Sequence, residues 1–549
     1  MIQTDVLIIG SGPAGSAAAL LLATYGVKTL VATKFNWTCR TPRAHITNQR
    51  TMEVLRDAGI EEEVNAKRAA QHLMGNNVFC TSLAGEELGR LYSWGNHPRR
   101  MADYTLASPT TICDIPQDLL EPVLFGNACA RGSRPRMDTE YLSLEQDADG
   151  VTATVRDRLS GKTYPIRAKY LIGADGGRSQ VAEDIGLPMH GKMGVAGSMN
   201  IVFEADLSRY VAHRPSVLYW VLQPGANIGG IGMGLVRMVR PWNKWLIVWG
   251  YDINGPAPEM NDELAATIAR NLIGDQSIPI KVVSHSLWTV NHMYALSNTV
   301  GRVFCMGDAV HRHPPSNGLG SNTSVQDAYN LAWKLALVLQ GGAPETLLDS
   351  YEAERRPVGA DVVARTRAAS EGYGRERGGT PDRLADTQIR VSYRGTGWVR
   401  DDAEGLDPKV PAAGDRAPDV VGLRRHALGF PLRLFDVLRG TEHVLVVHLA
   451  KADMSRGAVD LAACARELRL RFGARLRIVA VTAAGSVPDL PEIAFLADPH
   501  GTFADAYGAE GASFLVRPDG YIGWRGRSWR DTGLRAHLDR IFQTCVAEI

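Results

Sequence analysis

The stretch Asp5–Thr33, DVLIIGSGPAGSAAALLLATYGVKTLVAT, leaves little choice of fold. Val6–Ile9 is an unbroken apolar run, as in a parallel strand buried on both faces. Leu20, Leu21 and Leu22 sit in an Ala-rich helix closed by Gly26, and a second apolar strand follows. Between strand and helix lies G-x-G-x-x-G, written by Gly10, Gly12, Pro13, Ala14 and Gly15 around Ser11. In this setting Gly10 permits the tight turn, Gly12 admits a pyrophosphate, and Gly15 lets helix and strand pack closely. The helix N-terminus then offers unpaired N–H groups to an anion. An α/β, Rossmann-like fold that binds a dinucleotide is the expectation.

Two more strands end in turns that carry a carboxylate. Gly173-Ala174-Asp175-Gly176 follows KYLI, and Gly307-Asp308 follows RVFCM. Either one alone reads equally as a helix cap or turn former. After Gly307-Asp308 comes HRHPPSNGLGSN, with Pro314 and Pro315 stiff and Gly318 and Gly320 permissive. The apolar stripe Val325, Ala328, Leu331, Ala332, Leu335 then predicts a helix over 323–340.

The 549 residues are too many for one ordinary domain. A formal net charge of +1 offers no field for nucleic acid or an anionic membrane. The seven cysteines are scattered without a Cys-x-x-Cys, which argues against a disulfide framework. No His/Cys/Asp/Glu set is tightly spaced, so no metal is expected. With no basic leader at the N-terminus, a cytoplasmic protein is expected. Residues 76–99 and 191–289 read as a β-rich unit inserted into a dinucleotide-binding unit made of 1–75, 100–190 and 290–375. Residues 376–416 turn polar and rich in Gly, Arg, Asp and Pro, which reads as a linker. Strand–helix alternation resumes over 417–549. YEAERRP, Tyr351–Pro357, pairs opposite charges at helical spacing and reads as a solvated face.

Together and in this order, the three turns resemble the class A flavoprotein aromatic hydroxylases, over about residues 1–370. PRAHITNQRTMEVLRDAGI (42–60) and the segment from Gly307 to Leu335 are most similar to the branch holding phenol and chlorophenol hydroxylases. The resemblance implies FAD as cofactor, NADPH as reductant, O2 and a phenolic molecule as substrates, and a homodimer. By the same likeness Asp308 binds a hydroxyl of the flavin ribityl chain. Pro315 walls the isoalloxazine ring. Gly307, Gly318, Gly320, Ser321 and Asn322 line the same segment, and the helix after them aims its positive end at the pyrimidine edge. Arg43 is similar to an arginine near the pyrophosphate, Gln117 to a glutamine on the ribityl chain, and Asp175 to the carboxylate between flavin and nicotinamide. Two positions depart from the pattern. Thr33 or Lys34 stands where an acid usually holds the adenosine ribose, and Ala182 where an arginine is common. Residues 417–549 resemble a thioredoxin-like domain that lacks the redox cysteine pair.

The implied reaction is ortho-hydroxylation of a phenol, with O2 adding at flavin C4a. Such a ring reacts faster as phenolate, so a base is needed. His45 is the candidate base, at a position where similar phenol hydroxylases have an aspartate, and this exchange suits a chlorinated phenol. His292 is a second candidate facing the pocket, and packing is the alternative reading for both histidines. Met233 and Trp288, with His45 and Pro315, are candidate substrate contacts. The same chemistry on a hydroxybenzoate, resorcinol or polyketide ring stays open, as do a flavin halogenase and a reductase that does not use O2.

Overall fold

The computed structural model describes residues 1–223, 234–315, 318–372, 387–403, 409–425, 429–450, 456–483, 490–508 and 510–543. Its first sheet has a parallel core of Arg134–Arg136, Thr29–Ala32, Ile2–Ile9, Thr163–Gly173 and Val303–Cys305, in that spatial order. The register aligns Ile9 with Ala32 and with Gly173, and Gly173 with Cys305. The strands therefore end at one level, and the turns after them share one edge of the sheet. This is the edge where open α/β sheets bind ligands.

The Pro13–Thr24 helix has an almost wholly buried, Ala-rich surface. It packs between the helices Gly320–Leu339 and Gln117–Ala130. The Gly320–Leu339 helix begins three residues before the sequence-based expectation.

The second sheet runs His311–Arg312, Lys281–Ala295, Met189–Glu204, Lys244–Tyr251, Gly234–Arg240, Leu218–Val221, Asn76–Cys80 and Glu87–Tyr92. Side chains alternate between its faces. Met199, Ile201, Phe203, Trp245 and Ile247 form a core with the helix Asp262–Ile273. The register puts Asn200, Val248, Leu246, Arg237 and Trp288 on the opposite face.

A third, six-stranded sheet runs Arg400–Asp401, Ile522–Gly526, Ser513–Val516, His443–Leu449, Leu476–Ala483 and Ala494–Asp498. Arg400–Asp401, inside the stretch expected as a linker over 376–416, is one of its strands. Gln388 is buried, accepts from Asn48 Nδ2 (2.9 Å) and Gln326 Nε2 (2.7 Å), and donates to Thr323 Oγ1 (2.9 Å). Tyr393 packs against Tyr521 with ring centres 4.2 Å apart, and Arg416 pairs with buried Glu53. The polarity that suggested solvent is spent on buried hydrogen bonds between units.

The YEAERRP segment is corrected in the same way. Tyr351, Glu354 and Arg355 are buried. Glu354 pairs with Lys334 (2.8 Å) and Arg517 (2.5 Å), and Arg355 with Asp327 (2.8 Å). These charges meet partners on other elements across the Gly320–Leu339 helix. No helix among the described residues is long and apolar enough to cross a membrane.

Candidate active site

The three turns converge on one another. Gly10 has φ +102°, and a Cβ there would lie 2.3 Å from the Ala174 carbonyl oxygen. A Cβ at Gly15 would lie 2.0 Å from Gly10 O, so helix and strand touch through the missing side chain. Gly307, at φ +64°, fits between Ala14 Cβ and Ser324 Oγ, 3.0 and 2.8 Å from where its own Cβ would stand. The fingerprint turn, the Asp175 turn, the Asp308 turn and the start of the Gly320–Leu339 helix therefore meet at one edge.

This edge fits a dinucleotide. A Cβ at Gly12 would meet no protein atom within 4 Å, so the backbone there faces open space. No side chain caps the helix starting at Pro13 or the one starting at Gly320. Their first N–H groups are left for an anion and for the electron-rich edge of a ring. Asp308 is exposed beside them.

The other expected cofactor residues are placed in different ways. Gln117 opens its helix, accepts from Ala44 N–H (3.4 Å) and donates to buried Glu121 (2.5 Å). Arg43 is exposed, its Nε donating to Thr41 Oγ1 at 3.1 Å. Asp175 turns back on its own loop, accepting from Ser179 Oγ (2.5 Å) and Val181 N–H (3.2 Å). Burial nevertheless raises its pKa. Pro315 is exposed, and its carbonyl accepts from Gly318 N–H at 3.1 Å. Ser321 is half-buried in the first helical turn. Asn322 is buried and works as a tie: its Nδ2 donates to Ile46 O (2.8 Å) and Gly318 O (2.6 Å), and its Oδ1 accepts from Asn48 N–H (2.9 Å). Thr33 is buried, and Lys34 is exposed.

That tie brings the strand after His45 to the proline–glycine segment. Ile46 pairs with Asp114 in a short antiparallel ladder, Ile46–Thr47 against Cys113–Asp114. His45 Nδ1 lies 2.7 Å from Asp114 Oδ2, and the imidazole stands edge-on to Trp94 at 6.3 Å. Asp114 is 1% exposed and His45 14%, so the ring keeps one open side. Burial and the charge of Arg237 lower the His45 pKa, against the pull of Asp114. Arg237 reaches in from the second sheet. Its Nη1 donates to Pro42 O at 2.5 Å, and its Nη2 is 3.8 Å from Asp114 Oδ1.

Trp288 lies on the same face of that sheet and donates to Asn200 Oδ1 at 3.1 Å. His292 is half-buried and acts electrostatically on His313. Burial and His311 push the His313 pKa down to about 4, so this ring is neutral at pH 7. Met233 lies outside the described residues.

Sequence reasoning missed Asp114 and Arg237. A lone acid in TICDIPQ and the first of two arginines on the strand GLVRMVR were the available signals. It also missed Asp327. This buried carboxylate accepts from Gly307 N–H (3.1 Å), pairs with His311 Nε2 (2.8 Å), and accepts from Arg355 (2.8 Å). It fastens the Gly307-Asp308 turn to the Gly320–Leu339 helix.

An FAD binding domain model matches residues 3–366, and an aromatic-ring hydroxylase C-terminal model matches residues 410–545. The chain belongs to the FAD-dependent aromatic-ring monooxygenases. A 2,4-dichlorophenol 6-monooxygenase of Delftia acidovorans is 48% identical, the match covering 98% of this chain and 98% of that one. A phenol 2-monooxygenase of Pseudomonas sp. (strain EST1001) is 53% identical over 68% of this chain and 60% of its own length. Among solved structures, the flavin-dependent monooxygenase PieE in complex with FAD and substrate is 34% identical, with a TM-score of 0.84 over 98% of this chain and 99% of that one.

Proposed function

We propose that the chain hydroxylates a phenol, and best a chlorinated phenol, at the ortho carbon to give a catechol. The observation that carries this reading is the His45–Asp114 pair, a mostly buried base whose neighbour Ile46 is tied to the proline–glycine segment. The full-length likeness to a 2,4-dichlorophenol 6-monooxygenase supports the substrate class. NADPH is the reductant in this reading. One oxygen atom of O2 enters the ring and the other leaves as water, with NADPH oxidised to NADP+.

Bound FAD supplies the reduction of O2 and the transfer of one oxygen atom. This chain's residues do the rest. Gly12 and the Pro13 helix terminus would hold the pyrophosphate, with Arg43 as a further cation for it. Asp308 and Gln117 bind the ribityl hydroxyls, and Asp175 borders the nicotinamide approach. The Gly320 terminus would favour negative charge on a ring edge held before it. The face of the second sheet bearing Trp288 and Asn200 covers the substrate and keeps water out. His45 Nε2 takes the hydroxyl proton while the electron pair stays on the phenol oxygen and enriches the ortho carbon.

The test is to follow NADPH and NADH oxidation by the FAD-loaded protein with a panel of phenols, and to measure catechol and peroxide. Nucleotide oxidation that yields peroxide without catechol rejects the reading. Replacing His45 by alanine should lower kcat/KM about a hundredfold for the least acidic phenol and less for 2,4-dichlorophenol. An equal loss across the panel removes the base role. The homodimer implied by the family likeness is checked by sedimentation equilibrium.

A further inference from the structure

We infer that Asp114 is a positioning residue that fixes the tautomer of His45, and that Arg237 tunes the pair toward acidic phenols. This rests on the proposed phenol hydroxylation and names what sets its substrate preference. The three groups come from separate places: His45 from the loop before Ile46, Asp114 from the partner strand of the ladder, and Arg237 from the second sheet. Asp114 and Arg237 are each 1% exposed. An ionised carboxylate only accepts hydrogen bonds, so the 2.7 Å contact places the proton on His45 Nδ1. Nε2 is then bare, and it is the atom left to accept a proton.

The Arg237 contact is of another kind. At 3.8 Å, Nη2 is too far from Asp114 Oδ1 for a hydrogen bond but close enough for strong attraction at a buried site. Asp114 thus keeps its hydrogen-bonding capacity for His45 while its charge is partly offset. Arg237 Nε and Nη2 have no hydrogen-bond partner among the described residues, and the guanidinium is held through Nη1 and by the charges of Asp114 and Asp118. Asp114 and Arg237 are the charged groups acting on the imidazole. A carboxylate alone would make His45 a stronger base and stabilise its imidazolium. The added cation withdraws part of that gain. The result is a base that stays neutral into mildly acidic solution but drives proton transfer weakly. An unsubstituted phenol ionises near pH 10, like tyrosine, and is a poor match. A ring whose hydroxyl is acidified by halogens is a good one.

The two charges make opposite predictions. Asp114→Asn removes the anion, so the acid limb of the kcat/KM–pH profile should move to lower pH. Its kcat/KM for phenol should fall about a hundredfold because the tautomer is no longer enforced. Arg237→Met removes the cation at similar volume, so the limb should move to higher pH by about half a unit or more. The ratio of kcat/KM for phenol to that for 2,4-dichlorophenol should rise in Arg237→Met. Flavin content and circular dichroism establish that each variant is folded and loaded, and Arg237→Gln, also without the cation, takes the place of Arg237→Met if that variant does not fold. Limbs that stay in place, or move in the same direction, overturn the inference. The 13Cε1 resonance of His45 in FAD-loaded protein, titrated with pH, reads the same shifts without turnover. If no phenol is hydroxylated, the proposed function fails, and this titration still decides whether the triad works as described.

Discussion

Gly12→Ala is expected to give a folded protein that purifies colourless, and Gly15→Ala one that is both colourless and less stable. The two glycines lie three residues apart in one turn, yet their missing side chains serve different neighbours. A Cβ on Gly12 meets no protein atom within 4 Å, and its φ of −70° suits alanine. The fold has no reason to object. The same methyl would stand where the phosphates must approach the Pro13 terminus, so FAD affinity should fall about a hundredfold, or roughly 2.7 kcal/mol. A Cβ on Gly15 would sit 2.0 Å from Gly10 O and 3.3 Å from Ala174 Cβ. Both neighbours belong to the sheet edge, so the helix must move away and take its free N–H groups with it. Overpacking of this kind costs about 1–3 kcal/mol, and more where backbone meets backbone. The checks are the flavin-to-protein ratio, FAD fluorescence quenching on titration of apoprotein, and urea unfolding. Full FAD affinity in Gly12→Ala would move the pyrophosphate to another turn.

That contrast also marks what was legible in the residues alone. A glycine turn is a local demand of the backbone, so Gly10, Gly15 and Gly307 could be read where they stand, and the parallel register then gathers them at one edge. Polar side chains that work across the chain could not be read in this way. Asn322 reads as part of a cofactor loop, but its partners are Ile46 and Asn48, more than 270 positions earlier. Gln388 falls in a stretch with the composition of a linker, and only the fold reveals Asn48 and Gln326 beside it. His45 was singled out through family likeness. The carboxylate that orients it is 69 residues away, and the arginine that opposes it lies in the other sheet. Charge pattern misled most at YEAERRP, because helical spacing supplies plausible partners within the segment while Glu354 finds Arg517 at a distance of 163 residues.

Arg517→Met should therefore be among the most damaging single changes away from the flavin edge. Arg517 comes from the C-terminal unit and is buried against the first. Its Nη1 and Nη2 donate to the two oxygens of Glu354 at 2.5 and 3.0 Å, and its Nε to Asp519 at 2.9 Å. Its guanidinium also lies over the rings of Trp333 and Tyr393, 5.2 and 5.4 Å from their centres. Replacing a whole buried ion cluster by apolar groups can be harmless, but removing one partner strands the others. Here Glu354 would keep only Lys334 and the Asn330 amide, and Asp519 would lose its guanidinium. The expected loss is about 3–5 kcal/mol of unfolding free energy, and Arg517→Lys should recover little because an ammonium cannot serve both carboxylates in two directions. Acid should mimic the mutation. Burial alone would raise the Glu354 pKa, but Arg517 and Lys334 pull it down to about 2. A glutamate in an unfolded chain titrates near pH 4.3. The folded pKa is the lower one, so the contribution is complete above that pH and disappears as pH falls through about 2. Urea midpoints measured from pH 7 down to pH 3 should drop less steeply in Arg517→Met than in the unmodified protein. Parallel slopes, or a loss at pH 7 below about 1 kcal/mol, would mean that the two units are held together by their apolar contacts and that the buried charges only follow.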